Sequence, residues 1–204
     1  MNLFSYFLTM SFLIILSSIA LFFYGLWFFG KDLPDYKELS KYNPNVVTRI
    51  HAGNGALLAE YATQKRVFVP INVIPKKVIN AFISAEDKAF YNHFGIDPKA
   101  TLRALITNIR NIGTGKRLIG ASTITQQVAK NFLLSNEVSF NRKIKEAILA
   151  FRIERALSKE RILELYLNQI YLGGGAYGIA SASLEYFDKP INELSYTESA
   201  LLAA

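Results

Sequence analysis

Two carboxylates, Glu86 and Asp87, stand side by side near the end of an otherwise apolar helical pattern, in Ile83-Ser84-Ala85-Glu86-Asp87-Lys88-Ala89-Phe90-Tyr91-Asn92-His93-Phe94-Gly95. Acidic groups against apolar surface are costly unless they are exposed or used. If used, a carboxylate placed there suits general acid–base chemistry. A second block, Gly120-Ala121-Ser122-Thr123-Ile124-Thr125-Gln126-Gln127-Val128-Ala129-Lys130-Asn131, begins with a residue able to cap a helix, Ser122. It then crowds Thr123, Gln126, Gln127, Lys130 and Asn131 onto successive turns. Such a row could hold a sugar or a pyrophosphate. A third block sets Arg142 four residues and Lys143 three residues before Glu146, so both cations reach that carboxylate on one helix face. Each block alone has a plainer reading. These are a helix end in solvent capped by His93, a polar helix face, and a surface ion pair worth less than about 1 kcal/mol.

Helices must position these residues, and the hydrophobic pattern predicts them. Pro75 opens a helical spacing through Val78, Phe82, Ala85 and Ala89 to about Tyr91. From Pro98 onward the pattern is helical nearly throughout, with spans over 98–111, 122–134, 139–157, 159–172, 176–187 and 195–204. Gly113-Thr114-Gly115 and Gly173-Gly174-Gly175 interrupt it, and Ser195 with Glu198 forms a capping box for the last span. Ahead of Pro75, Val46–His51 and Ala56–Tyr61 flank Gly53-Asn54-Gly55 as a β-hairpin, and Arg66–Val73 reads as a further strand. The apolar positions of Ile162 to Gly173 read as core.

Composition bounds the class. The 204 residues are 51% hydrophobic, with a net charge of +7. The lack of cysteine excludes a disulfide scaffold and thiolate metal sites, and two histidines, His51 and His93, argue against a multi-histidine zinc site. Leu3 to Phe29 carries no charged side chain and is longer than the ~20 residues that cross a bilayer as a helix. Tyr24 and Trp27 suit the membrane interface. A cleaved signal peptide, cut after Ser18-Ile19-Ala20, is the rival reading. No basic region precedes the run and apolar residues continue past that point, which favours an uncleaved anchor. The expected plan is an anchor over 1–30, a polar linker over 31–45, and one domain over 46–204. Lys31, Lys37 and Lys41 alternate with Asp32, Asp35 and Glu38, so local charge does not favour an N-terminus-inside orientation. From Pro98 to Lys145, nine basic residues face one acid, Glu137, which points to an anionic partner. Beside an anchor, phospholipid or a phosphate-bearing substrate fits better than nucleic acid. The sequence stops at Leu201-Leu202-Ala203-Ala204, in an apolar helical pattern with no cap, and reads as a domain cut short in its final signature.

The blocks around Glu86, Gln126, Glu146 and Tyr166, with Leu194-Ser195-Tyr196-Thr197-Glu198-Ser199-Ala200-Leu201-Leu202-Ala203 as a fifth, together resemble one family in its own order. That family is the peptidoglycan glycosyltransferases (glycosyltransferase family 51), the N-terminal domain of class A penicillin-binding proteins. The likeness runs from about Arg49 to Ala204. It implies a mainly α, lysozyme-like helical domain, with a small N-terminal β-hairpin region, on the outer face of the cytoplasmic membrane. A single N-terminal transmembrane helix would have its N-terminus inside. The implied reaction polymerises lipid II into β-1,4-linked glycan, with inversion and release of undecaprenyl pyrophosphate. The resemblance makes Glu86 the general base and Glu146 the second essential carboxylate, near the donor. It assigns Lys130, Arg142 and Lys143 to the phosphates and Ser122, Thr123, Gln126 and Gln127 to the sugars. Asp87, Phe90, His93 and Asn131 lie in the same signatures and are expected to contact substrate. No cofactor is required and no metal ligands are implied; Mg²⁺ or Mn²⁺ is at most stimulatory. The implied partners are lipid II, the nascent strand, the membrane and other cell-wall synthesis proteins. Three positions depart from the family: Ala121 and Asp188 stand where glycine is common, and Val138 where arginine is common. Two other readings stay open, a lysozyme-like muramidase using Glu86 as general acid and an inactive membrane fragment.

Overall fold

The computed structural model describes residues 3–42, 48–55, 57–61, 65–135, 137 and 139–204, so Val138 lies outside the described residues. The chain opens on one uninterrupted helix, α1 (Leu3–Gly30). Its apolar side chains face outward, and Tyr6–Gly30, with a mean hydropathy of 2.2, is long and apolar enough to cross a membrane. A short 3₁₀ turn follows at Tyr36–Ser40. Strands β1 (Thr48–His51) and β2 (Leu57–Tyr61) pair antiparallel as the expected hairpin, with an irregularity between Ile50 and His51. Strand β3 (Lys65–Arg66) pairs in parallel with β4 (Ala176–Tyr177). The other elements are helices: α2 (Lys76–Glu86), α3 (Pro98–Asn111), α4 (Ile124–Leu133), α5 (Phe140–Ala156), α6 (Lys159–Gln169), α7 (Ile179–Phe187) and α8 (Tyr196–Ala203). The fold is mainly α and consistent with a lysozyme-like helical domain.

The core sits around α4 and α6. Ile124, Val128 and Ala129 of α4 pack with Leu149 and Ile153 of α5, Ile162, Leu163 and Tyr166 of α6, and Val78 and Phe82 of α2. The 3.6-residue period of these apolar positions made the helices legible. The caps follow ordinary rules. Asp97, Ser139, Ser158 and Ser195 each accept a backbone N–H in the first turn of α3, α5, α6 and α8, and Ser195 with Glu198 completes the expected capping box.

The structure corrects three expectations. The helix from Pro75 ends at Glu86 instead of Tyr91, because Asp87 leaves helical backbone (φ −155°, ψ 75°). Of the expected strand Arg66–Val73, only Arg66 lies in one, at the end of β3; 67–73 is not a strand. Its backbone is held by side chains: Val67 N–H donates to Ser181, Val69 N–H to Asn168 at 2.7 Å, and Ile71 N–H to Glu164 at 2.8 Å. The span 176–187 begins as strand β4, and α7 starts only after Gly178 (φ 79°), where a Cβ would lie 2.8 Å from the Asn168 carbonyl oxygen. The described part of the linker is docked: Leu39 is only 3% exposed, and Leu33, Tyr36 and Tyr42 pack against the core. At Asp188 the backbone is left-handed (φ 53°) and closes α7, a conformation that glycine takes most readily.

Candidate active site

Glu86 is the last residue of α2 and is exposed, whereas its neighbour Asp87 is 6% exposed. The turn out of the helix separates their fates. Asp87 points inward and accepts from His93 Nε2 at 2.9 Å and from the Ile124 N–H at 3.0 Å. The latter is an orphan donor at the start of α4, so the carboxylate binds where the helix dipole is positive. Thr123 reinforces the same joint. It caps α4 through Gln126, and its hydroxyl donates to the Gly95 carbonyl at 2.6 Å. Gly95 (φ 87°) lies against α5, where a Cβ would sit 2.6 Å from the Ala150 carbonyl oxygen. The end of α2, the start of α4 and the middle of α5 are therefore locked together beneath Glu86.

That lock sets up the hydrogen bond that Glu86 makes among the described residues, accepted from Gln127 Nε2 at 2.6 Å. Across the cleft, Glu146 on α5 is buried and pairs with both Arg142 and Lys143, the latter at 2.8 Å. Lys143 Nζ also donates to Ser122 at 2.6 Å. Arg117, Lys130, Arg142 and Lys143 face Glu86 and Glu146 around a cavity of about 680 Å³, with Gln126, Gln127 and Ser122 also in its wall. A second cavity of about 290 Å³ joins it at Glu86, Gly120 and Ser122, and is lined further by Asp87, Lys88, Asp97, Arg103 and Thr123. The exposed carboxylate thus stands between two connected recesses. The larger one holds four cations against two carboxylates, a balance that favours an anionic group.

Beneath this surface lies a polar knot. Glu154 accepts from Thr125 at 2.6 Å and from Lys159 at 2.7 Å; Lys159 also donates to the His93 carbonyl at 2.8 Å and lies over the Phe90 ring. Tyr166 packs edge-to-face on Phe82, and its buried hydroxyl has no partner among the described residues. Burial, then the nearby Glu86 and Asp87 charges, push its ionisation far above the ordinary tyrosine range, so it stays a neutral phenol.

Among the expected site residues, Glu86, Ser122, Gln126, Gln127, Lys130, Arg142, Lys143 and Glu146 meet at the larger cavity, and Asp87 and Thr123 line the smaller. Three line neither of these two cavities. Phe90 is fully buried in the core, where its large apolar ring packs. His93 is buried on Asp87 and supports the turn. Asn131 points outward from α4, one residue past Lys130 on the helix. The helix cap is Thr123 and not Ser122, whose hydroxyl is held by Lys143 instead. Arg117 and Arg103 were not singled out in the sequence, although both belong to its basic segment, five of whose nine cations line the two cavities.

The model of the family described as Transglycosylase matches residues 54–204. Penicillin-binding protein 1A of Rickettsia bellii (strain RML369-C) is 55% identical over 181 residues, covering 89% of this chain and 23% of that protein. The protein of the same name from Aquifex aeolicus (strain VF5) is 49% identical over 194 residues, 93% of this chain and 26% of that protein. The one from Neisseria flavescens is 50% identical over 171 residues, 84% and 21% respectively. The chain spans about a quarter of the length of these curated relatives. The chain belongs to the transglycosylase family, a family of glycosyltransferase enzymes.

Proposed function

We propose that this chain polymerises lipid II into β-1,4-linked peptidoglycan glycan on the outer face of the cytoplasmic membrane. One observation carries the reading: an exposed carboxylate, Glu86, stands at the junction of two recesses, one of them walled by Arg117, Lys130, Arg142 and Lys143. Glycosyl transfer from a pyrophosphate needs a base on the acceptor side and cations on the departing side. Glu86 takes the proton of the acceptor hydroxyl as its oxygen attacks the anomeric carbon from the face opposite the phosphate. The anomeric C–O bond breaks, the configuration inverts, and undecaprenyl pyrophosphate leaves with the bonding electron pair. The cations hold its charge. Gln127 fixes one Glu86 oxygen and leaves the other for the proton. Glu146, fixed between Arg142 and Lys143, holds both cations toward the cleft.

The cleft does not fit a resident metal. Its two glutamates are engaged by Gln127 and by Arg142 and Lys143, and among the described residues no group of three or more His, Cys, Asp or Glu could hold an ion. Mg²⁺ or Mn²⁺ is optional in this reading, and no step runs through either.

A lipid-linked substrate accounts for the anchor. We place α1 across the membrane with its N-terminus inside. The apolar side chains Leu102, Leu105 and Ile109 of α3, with Ile112 and Leu118 beyond it, are exposed among basic residues and are placed on the lipid surface. Incubation of the purified chain with lipid II tests the function. Gel-resolved glycan that disappears in Glu86→Gln supports it. Cleavage of finished peptidoglycan without polymerisation, or equal polymer from the variant, overturns it.

A further inference from the structure

The stretch between the anchor and the catalytic lobe is not a slack tether. Fully extended, Lys31 to Tyr42 would reach about 40 Å and would let the cleft wander over the membrane. Instead it is gripped at both ends by arginines. At the start, Arg152 of α5 donates to the carbonyl of Gly30, the last residue of α1, at 3.3 Å. That carbonyl has no partner inside the helix, and the α1 C-terminus favours a cation. At the far end, Arg161 of α6 donates to the carbonyls of Leu39 at 3.2 Å and Tyr42 at 2.9 Å, and pairs with Glu164. Between the grips, Leu39 is buried, and Tyr42 packs edge-to-face on Phe132 of α4.

Helix α5 carries both the Gly30 grip and the pyrophosphate-side residues. Arg142 and Arg152 are ten residues apart on it, about 15 Å along the axis. Gly30 ends the apolar run, so the cations of the cleft are held about 15 Å along α5 from the level of the membrane's hydrocarbon edge, next to a headgroup layer ~5–8 Å deep. A polyprenyl tail confines its pyrophosphate to that layer, so a fixed height keeps the cleft beside it.

We propose that Arg152 and Arg161 are positioning residues that hold the cleft in register with lipid headgroups, so that a membrane-embedded pyrophosphate meets Arg142 and Lys143 without leaving the bilayer. The proposal rests on the reading of the cleft as a lipid-pyrophosphate site and of α1 as a membrane span.

The test uses the full chain in vesicles of phosphatidylethanolamine and phosphatidylglycerol. The chain has no cysteine, so Tyr196→Cys, at a position 79% exposed, takes a single donor dye. Energy transfer to a headgroup-labelled lipid reports the height of the lobe. The parent should give one narrow distance, and R152A/R161A a broad distribution. Gly30→Ala attacks the first grip from the anchor side, because its Cβ would meet Arg152 Nη2 at 2.9 Å, and should also broaden the distribution without touching the lobe. Polymerisation of lipid II in vesicles should fall about a hundredfold in these variants, the scale of a misplaced reacting group. In detergent micelles, where depth is not imposed, it should not change. Unaltered distances in both variants, or an equal loss in vesicles and detergent, overturns the proposal. A narrow parental distance that broadens in the variants, with no polymer from the parent in either medium, sustains the register and overturns the polymerase reading instead.

Discussion

Asp87 is the joint on which the site depends, and replacing it gives a worked prediction. Its carboxylate accepts from His93 Nε2 and from the Ile124 N–H, both in buried surroundings. Hydrogen bonds to a charged group contribute about 1.5–3 kcal/mol each, so Asp87→Ala should cost roughly 3–6 kcal/mol. That is a large part of the ~5–15 kcal/mol that holds a typical domain. Asp87→Asn is the sharper case, because it keeps the shape. If the asparagine oxygen serves Ile124, its amide faces His93 Nε2, which must then accept and carry its proton on Nδ1. That nitrogen is buried with no partner among the described residues. If the amide is flipped, the Ile124 N–H loses its acceptor. Either way one buried donor is orphaned, at a cost of about 1–3 kcal/mol.

The same substitution should reach the chemistry. The first turn of α4 carries Gln127, which fixes Glu86. Loosening that turn by about 1 Å should lower the polymerisation rate by about a hundredfold, even where the variant stays folded. Urea unfolding followed by far-UV circular dichroism, with lipid II turnover measured well below the unfolding midpoint, checks both parts. Asp87→Asn with the parental midpoint and rate would refute the reasoning.

Other outcomes follow from the same contacts. Glu86→Gln should lower polymerisation by about 10²–10⁴-fold with little change in melting temperature, since Glu86 is exposed and makes one hydrogen bond. Gly95→Ala should destabilise the lobe by more than ~1 kcal/mol in urea titration, because its φ of 87° and the Ala150 carbonyl both oppose a Cβ. Asp188→Gly should stabilise it by about 1 kcal/mol in the same assay, by relieving left-handed backbone. Glu198, bonded to Lys189 and to Ser195, has its ionisation lowered from 4.5 to about 2. Its stabilisation is therefore complete above about pH 4.5 and disappears as pH falls through about 2, so the melting temperatures of parent and Glu198→Gln should differ at neutral pH and converge in that window.

The helices were legible because each element's apolar face is written locally at a period of 3.6 residues. The Ser195–Glu198 box was legible for the same reason, since both partners lie within one turn. What was hidden depends on partners far along the chain. Arg66–Val73 has the composition of a strand, but Asn168, 99 positions from Val69, supplies the hydrogen bonds that a neighbouring strand would have made. The segment after the anchor looks like a solvated linker, because its polar residues outnumber Leu33, Tyr36, Leu39 and Tyr42. Nothing local marks the carbonyls that Arg161, 119 positions after Tyr42, would take. The basic segment announced an anionic partner, but which of its nine cations would face it was set by the folding of α3, α4 and α5 around one cleft.

The adjacent pair Glu86-Asp87 shows the limit most clearly. In sequence the two carboxylates are equivalent: same charge, same helix end, same apolar approach. Helical backbone through Tyr91 would place them 100° apart on one surface, both at the edge of the core. The chain instead breaks at Asp87, whose carboxylate finds three compensations there: a free N–H at the α4 terminus, the His93 ring, and the positive end of the α4 dipole. With those partners its burial is stabilising, and Glu86 has no such set. Glu86 is left at the rim with a single amide contact among the described residues, as its proposed role as a base requires. The difference between the two thus follows from where the compensating donors lie: the structure buries the carboxylate it can satisfy and leaves the other one exposed.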